Sequence, residues 1–167
     1  MSAWESIGKS DDWYTPKFIF DALACSFDLD VAAPVKGPRY VPAKEWFWHS
    51  GLELHWRGFV WMNPPFGGRK DKSPWLDRFF EHGNGIALTP DRTSAPWWQA
   101  AAPRADAILF LAGKPKFERP DGSVGKQPGN GVTLMAAGPQ GVAALRTGAG
   151  KGLGFLSERN IGLGLFD

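Results

Sequence analysis

Asn63, Pro64, Pro65 and Phe66 form one tetrapeptide whose residue types suit a single chemical task. The Asn63 side-chain oxygen and the Pro64 carbonyl are acceptors. The two prolines stiffen the loop that presents them, and Phe66 offers a flat apolar face. Such a set can hold an exocyclic amino group by its two hydrogens while the ring that bears it stacks on the aromatic. The same residues also suit a plainer role, a strand-terminating turn closed by a hydrophobic plug. Elsewhere the chain offers no convincing nucleophile, base and orienting acid for hydrolysis. His49 and His55 lie six residues apart with no cysteine nearby, a spacing that does not suggest a metal site.

A second group of residues has charge to offer. In Phe27-Asp28-Leu29-Asp30, apolar and acidic residues alternate before the chain turns small at Val31-Ala32-Ala33. Asp30, at a strand end beside small neighbours, can face the cationic amine of a ligand, whereas Asp28 reads as a solvated group. Arg69, Lys70 and Lys72 follow the tetrapeptide in a glycine-rich loop, and Arg92 stands on another strand-end loop. Lys114 and Lys116 alternate with apolar residues in an extended arm that turns at Pro120-Asp121-Gly122. These cations are either solvated surface groups or, on a nucleic-acid substrate, contacts to its phosphates.

The elements that must position these residues follow from patterning. Gly58 to Met62 is an apolar run of strand formers that stops at Asn63, the kind of strand end where open α/β sheets carry their chemistry. Thr15 can cap a helix whose first position suits Pro16, and Phe18, Ile19, Ala22 and Leu23 then recur at helical spacing. Ser73 and Pro74 open a second helix to His82. Gly85–Leu88, Ala95–Ala102 and Ala105–Leu111 read as strand, helix and strand, which predicts a largely parallel sheet with helical crossovers. Residues 35–57 read as a long aromatic loop with at most one helical turn, able to cover a small-molecule pocket. Val132–Ala137 is expected to be the last firm core strand, with Val142–Leu145 closing that layer. Gly148 to Gly154 fails the phosphate-loop pattern, because Gly152 rather than Ser or Thr follows Lys151, and reads as part of a flexible end.

Composition limits the class. With 167 residues, 43% hydrophobic and 22% charged, the chain predicts one globular domain, expected over 11–147 between a lead-in of 1–10 and a glycine-rich tail of 148–167. Nine Trp and twelve Phe supply both core and stacking surfaces. A net charge of +2 permits a polyanionic partner without demanding one. The single Cys25 excludes an intramolecular disulfide and suits a reducing compartment. No apolar run approaches membrane-spanning length and the N-terminal residues lack signal-peptide character, so a cytoplasmic protein is expected.

Taken in order, Asp12-Trp13-Tyr14-Thr15-Pro16, Phe27 to Ala33 and Val60-Trp61-Met62-Asn63-Pro64-Pro65-Phe66 resemble the Dam-like DNA N6-adenine methyltransferases of phages and prophages. The likeness runs on through Pro74-Trp75-Leu76, Gly85 to Leu88 and Ala105 to Leu111 to Arg119-Pro120-Asp121-Gly122-Ser123, covering roughly residues 11–137. The resemblance implies a single-domain, reduced Rossmann-like α/β fold that binds S-adenosylmethionine. It places the catalytic motif on Asn63, Pro64, Pro65 and Phe66, and cofactor contacts on Trp13, Thr15, Pro16, Asp30 and Ala32. It further implies duplex DNA as partner, with the target adenine flipped out, in the cytoplasm of a bacterial host or phage-infected cell. Arg69, Lys70, Lys72, Arg92, Lys114 and Lys116 would then meet the DNA.

The sequence departs from the usual methyltransferase pattern at two points. Val31-Ala32-Ala33 stands where a glycine-rich loop is common, and the acid that would hold the ribose hydroxyls is undecided between Glu45 and Glu53. Two alternatives stay open. One keeps the chemistry on another amino group, that of cytosine N4, RNA adenine or a protein amide. The other is a non-catalytic nucleic-acid-binding domain that uses the aromatics and the basic loops.

Overall fold

Strands that are apolar on both sides must be covered on both sides, and the most apolar runs of the chain form the middle of one sheet. The computed structural model describes residues 13–65, 73–126 and 129–159. In chain order these hold α1 (Lys17–Leu23), β1 (Phe27–Asp30), β2 (Ala43–Trp46), β3 (Val60–Met62), α2 (Ser73–His82), β4 (Gly85–Pro90) and α3 (Pro96–Ala101). A single 3-10 turn, Ala102–Arg104, leads into β5 (Ala107–Leu111), which is followed by β6 (Val132–Ala137), α4 (Pro139–Gly150) and β7 (Gly154–Glu158).

The seven strands lie in the order β2-β1-β3-β4-β6-β5-β7. The first four are parallel, β6 runs antiparallel between β4 and β5, and β7 pairs antiparallel to β5 at the edge. Every residue of β3, β4 and β6 is buried. One face packs Ile19, Phe20 and Leu23 of α1 and Ala144 and Leu145 of α4 over Trp61, Ile86, Leu88 and Leu134. The other packs Leu76 and Phe79 of α2 and Trp98 and Ala101 of α3 over Val60, Met62, Ala87 and Met135. Trp61 fixes the centre of the first face, with the Phe20 ring edge-on at 4.9 Å and Phe27 beside it.

Five expectations are corrected. Residues 35–57 contain β2, whose exposed Ala-Lys-Glu-Trp sequence lacks an apolar alternation because it sits at the sheet edge. The β1 carboxylate of Asp28 supplies part of what apolar burial does not: it accepts from Lys44 Nζ of β2 at 2.7 Å and from the Phe59 amide at 2.8 Å. The Lys44 hydrogen bond holds this carboxyl below its ordinary range, so Asp28 has a structural task rather than a purely solvated one. Val142–Leu145 lies within α4 and covers the sheet instead of joining it. The stretch expected as a flexible end contains the last turn of α4 and edge strand β7, where Leu153 is buried and Arg146 holds Glu158 at 2.6 Å. The sheet is also less parallel than the alternation predicts, because β6 and β7 reverse direction.

Candidate active site

The C-terminal ends of β1, β3 and β4 share one rim of the sheet, since these strands are parallel neighbours. Asp30 ends β1 and is in register with Trp61 of β3, two residues before Asn63. The short β3 therefore delivers Asn63 and the stiff Pro64-Pro65 turn to the rim beside Asp30. Pro64 is buried, Asn63 half-buried and Pro65 exposed.

A cavity at this rim is lined by Trp13, Thr15, Asp30, Ala32 and Asn63, five of the residues singled out in the sequence. Trp61 forms part of its lining, and Pro34, Pro38, Arg39, Tyr40 and Val41 from the β1–β2 connection complete another side with Tyr14. The long connection therefore does wall a pocket, although it carries a strand.

Asp30 is the electrostatic anomaly of the cavity. It is 2% exposed, and one oxygen accepts the Ala32 amide at 3.1 Å in a tight local turn. Burial pushes its carboxyl up to about 7, against the smaller opposing effect of that one hydrogen bond. A buried carboxylate with so little compensation can take up a cation. Trp13 also lines the cavity, and its buried indole N–H has no hydrogen-bond partner among the described residues.

Thr15 does not cap α1. Pro16, itself buried, occupies the N-cap position without a side-chain cap bond, and the Thr15 hydroxyl oxygen instead accepts from Asn63 Nδ2 at 3.1 Å. Residues 13–16 are held there by the arm that follows β5. Tyr14 and Glu118 exchange backbone hydrogen bonds at 2.9 and 3.1 Å, and the Glu118 carboxylate accepts from Arg39 at 3.2 Å and Tyr40 at 3.1 Å. Arg39 also donates to the Arg119 and Pro120 carbonyls and lies 4.0 Å over the Tyr14 ring, while Arg119 stands 5.3 Å over Trp13. The arm makes its turn at Arg119–Gly122, where the Gly122 amide donates to the Arg119 carbonyl at 2.9 Å.

This bracing by Tyr14, Arg39, Tyr40 and Glu118 was missed in the sequence. Arg39 and Tyr40 lie 79 and 78 residues before Glu118, and Tyr14 farther still, and only the Arg-Pro-Asp-Gly turn gave a local signal.

The residues expected to meet DNA divide. Arg69, Lys70 and Lys72 lie outside the described residues, as does Phe66 of the expected catalytic motif. Arg92 and Lys114 follow β4 and β5, which run the same way, so both emerge at the rim that carries Asn63. Lys114 donates to the Gly129 carbonyl at 2.8 Å, and Lys116 is exposed farther along the arm. Neither acid considered for a ribose lines the cavity: Glu45 is in an exposed ion pair with Arg57, and Glu53 is exposed. Among the described residues no helix is long and apolar enough to cross a membrane.

Neither a curated protein nor a solved structure matches the chain. The family model described as DNA N-6-adenine-methyltransferase (Dam) matches residues 6–136. That span contains the Asn-Pro-Pro turn, Asp30 and the bracing arm, and the chain belongs to the Dam family of DNA N6-adenine methyltransferases.

Proposed function

We propose that this protein transfers a methyl group from S-adenosylmethionine to the N6 amino group of an adenine turned out of the DNA stack. The observation that carries the reading is the cavity shared by Asn63 and the uncompensated Asp30 carboxylate. Family membership implies the reaction type, and the residues present fit the cofactor. Its amino acid end is a zwitterion: Asp30 would pair with the ammonium, and the unpartnered Trp13 indole N–H would donate to the carboxylate. Thr15 and Ala32 line the same cavity, and Pro16, the next residue in the chain after Thr15, is buried.

When bound, S-adenosylmethionine supplies a methyl carbon made electrophilic by its sulfonium. The protein acts on the amino nitrogen. Adenine's N6 is a poor nucleophile because its lone pair is delocalised into the ring. Asn63 Oδ1 and the Pro64 carbonyl each accept one of its hydrogens, so the nitrogen pyramidalises and its lone pair localises. The reaction then needs positioning and electrostatics but no protein nucleophile. The proton shed after transfer leaves along one of these two hydrogen bonds toward water. Phe66 would stack on the extruded base and offset part of the unstacking cost.

The parallel β2-β1-β3-β4 core with helices on both faces supports a reduced Rossmann-like methyltransferase fold. Arg92, Lys114 and Lys116, with Arg69, Lys70 and Lys72, would track the DNA backbone. The expected recognition site is short or relaxed, in the cytoplasm of a bacterial or phage-infected cell.

The test is incubation of the purified protein with methyl-labelled S-adenosylmethionine and unmethylated duplex DNA, followed by nucleoside mass spectrometry. Label is expected in N6-methyladenine. In Asn63→Ala that label should be lost while cofactor affinity changes little; undiminished turnover in the variant would refute the assignment. Label in N4-methylcytosine, or in RNA alone, would move the substrate and keep the loop's role.

A further inference from the structure

We infer that Thr15 is a positioning residue that holds the Asn63 amide with Oδ1 free to meet the target amino group. This rests on the proposed role of Asn63 and assigns Thr15 a task other than the cofactor contact expected from the sequence.

An asparagine amide carries a donor at one end and an acceptor at the other, and rotation by a half-turn about its last side-chain bond exchanges them. Asn63 can help activate an amino group only with Oδ1 directed at it; Nδ2 in that place would set donor against donor. Asn63 is half-buried, and its backbone is stiffened by Pro64 and Pro65. In the structure the Thr15 hydroxyl oxygen accepts from Asn63 Nδ2 at 3.1 Å, a contact that anchors the amide. With Nδ2 engaged there, Oδ1 is the atom left for the substrate.

Thr15 is itself well placed to keep this contact. Thr15 is 5% exposed, so water competes poorly for its lone pairs. Its backbone cannot drift, because the preceding residue exchanges two hydrogen bonds with Glu118 and the following residue is the proline that opens α1. Glu118 is in turn held by Arg39 and Tyr40. Orientation of the catalytic amide thus runs back, contact by contact, to the arm after β5.

The experiment compares wild type, Thr15→Val and Thr15→Ser. Valine keeps the shape and removes the acceptor, and serine keeps the acceptor. At saturating cofactor, Thr15→Val should lower kcat for DNA methylation by roughly 10- to 100-fold, leave the dissociation constant for S-adenosylmethionine within about twofold, and be rescued by Thr15→Ser. A Thr15→Val enzyme with normal kcat and weakened cofactor binding would overturn the inference in favour of a direct cofactor contact.

A second readout is independent of activity. The side-chain NH2 signal of Asn63, assigned by its loss in Asn63→Ala, should show slowed hydrogen exchange in wild type and Thr15→Ser and fast exchange in Thr15→Val. Equal exchange in all three proteins would overturn the inference. Slowed exchange with no methylation of DNA by wild type would keep the Thr15–Asn63 coupling and reject the proposed reaction.

Discussion

Replacing Asp30 by asparagine separates the stability of the protein from its affinity for cofactor, and the two should move in opposite directions. Burial lifts the Asp30 carboxyl from 3.8 to about 7. Between those values the folded protein holds a proton that the unfolded chain has released, so stability falls as pH rises. Below the lower value both states are protonated and no penalty applies; above about 7 the penalty is complete. Each pH unit across the window costs about 1.4 kcal/mol and the whole window about 4 kcal/mol as a ceiling. The asparagine in Asp30→Asn would be neutral throughout, but its amide nitrogen needs an acceptor that the carboxylate did not, at a cost of about 1–3 kcal/mol.

The expected outcome is a variant more stable than wild type at about pH 8 by about 1–3 kcal/mol, with the slope between about pH 4 and 7 removed. Urea unfolding of both proteins at several pH values measures it. In calorimetry, S-adenosylmethionine should bind the wild type with proton release near pH 7, because the ammonium favours the ionised carboxylate. Loss of that charge-assisted contact should weaken the variant about 10- to 100-fold. An unchanged pH slope in the variant would refute the assignment of the buried charge to Asp30. Unchanged cofactor affinity would refute its role as the ammonium receptor.

Two further substitutions probe the frame around the cavity. The Tyr40 hydroxyl is held above its ordinary pKa chiefly by its hydrogen bond to Glu118, so Glu118→Gln should lower it; with two tyrosines in the chain, ultraviolet titration resolves the change, and an unaltered Tyr40 would disprove the contact. Gly58 has φ of +66°, and a Cβ there would stand 2.7 Å from the Asp28 Cβ. Gly58→Ala should therefore cost about 2 kcal/mol or more in urea unfolding, and a neutral result would show that the turn into β3 can relax.

How much was legible in the sequence follows from how local each cause is. The Gly58–Met62 run ending at Asn63-Pro64-Pro65 needed only adjacent residue types, and it forms a buried strand with a stiff turn at the rim. Helices α1, α2 and α3 announced themselves by spacing and by proline near their starts. Edge strand β2 was invisible because its side chains are exposed, so it carries no alternation, and its place depends on register with β1. Helix α4 was misjudged because Val142 to Leu145 is short and apolar, a run that periodicity cannot divide between strand and helix.

The residue types at the site, Asn63 with its prolines and Asp30 among small neighbours, were determined by the sequence alone, because their chemistry is intrinsic to the side chains. Only the tertiary structure decided how they act together. Asp30 and Asn63 meet because β1 and β3 are parallel neighbours, and the Asp30 pKa rises because surrounding elements exclude water. Thr15 serves Asn63 rather than its own helix, and Glu118 serves Tyr14, Arg39 and Tyr40, through contacts that span long separations in the chain. Desolvation and long-range hydrogen bonding exist only once the chain has closed on itself, and no local pattern encodes them.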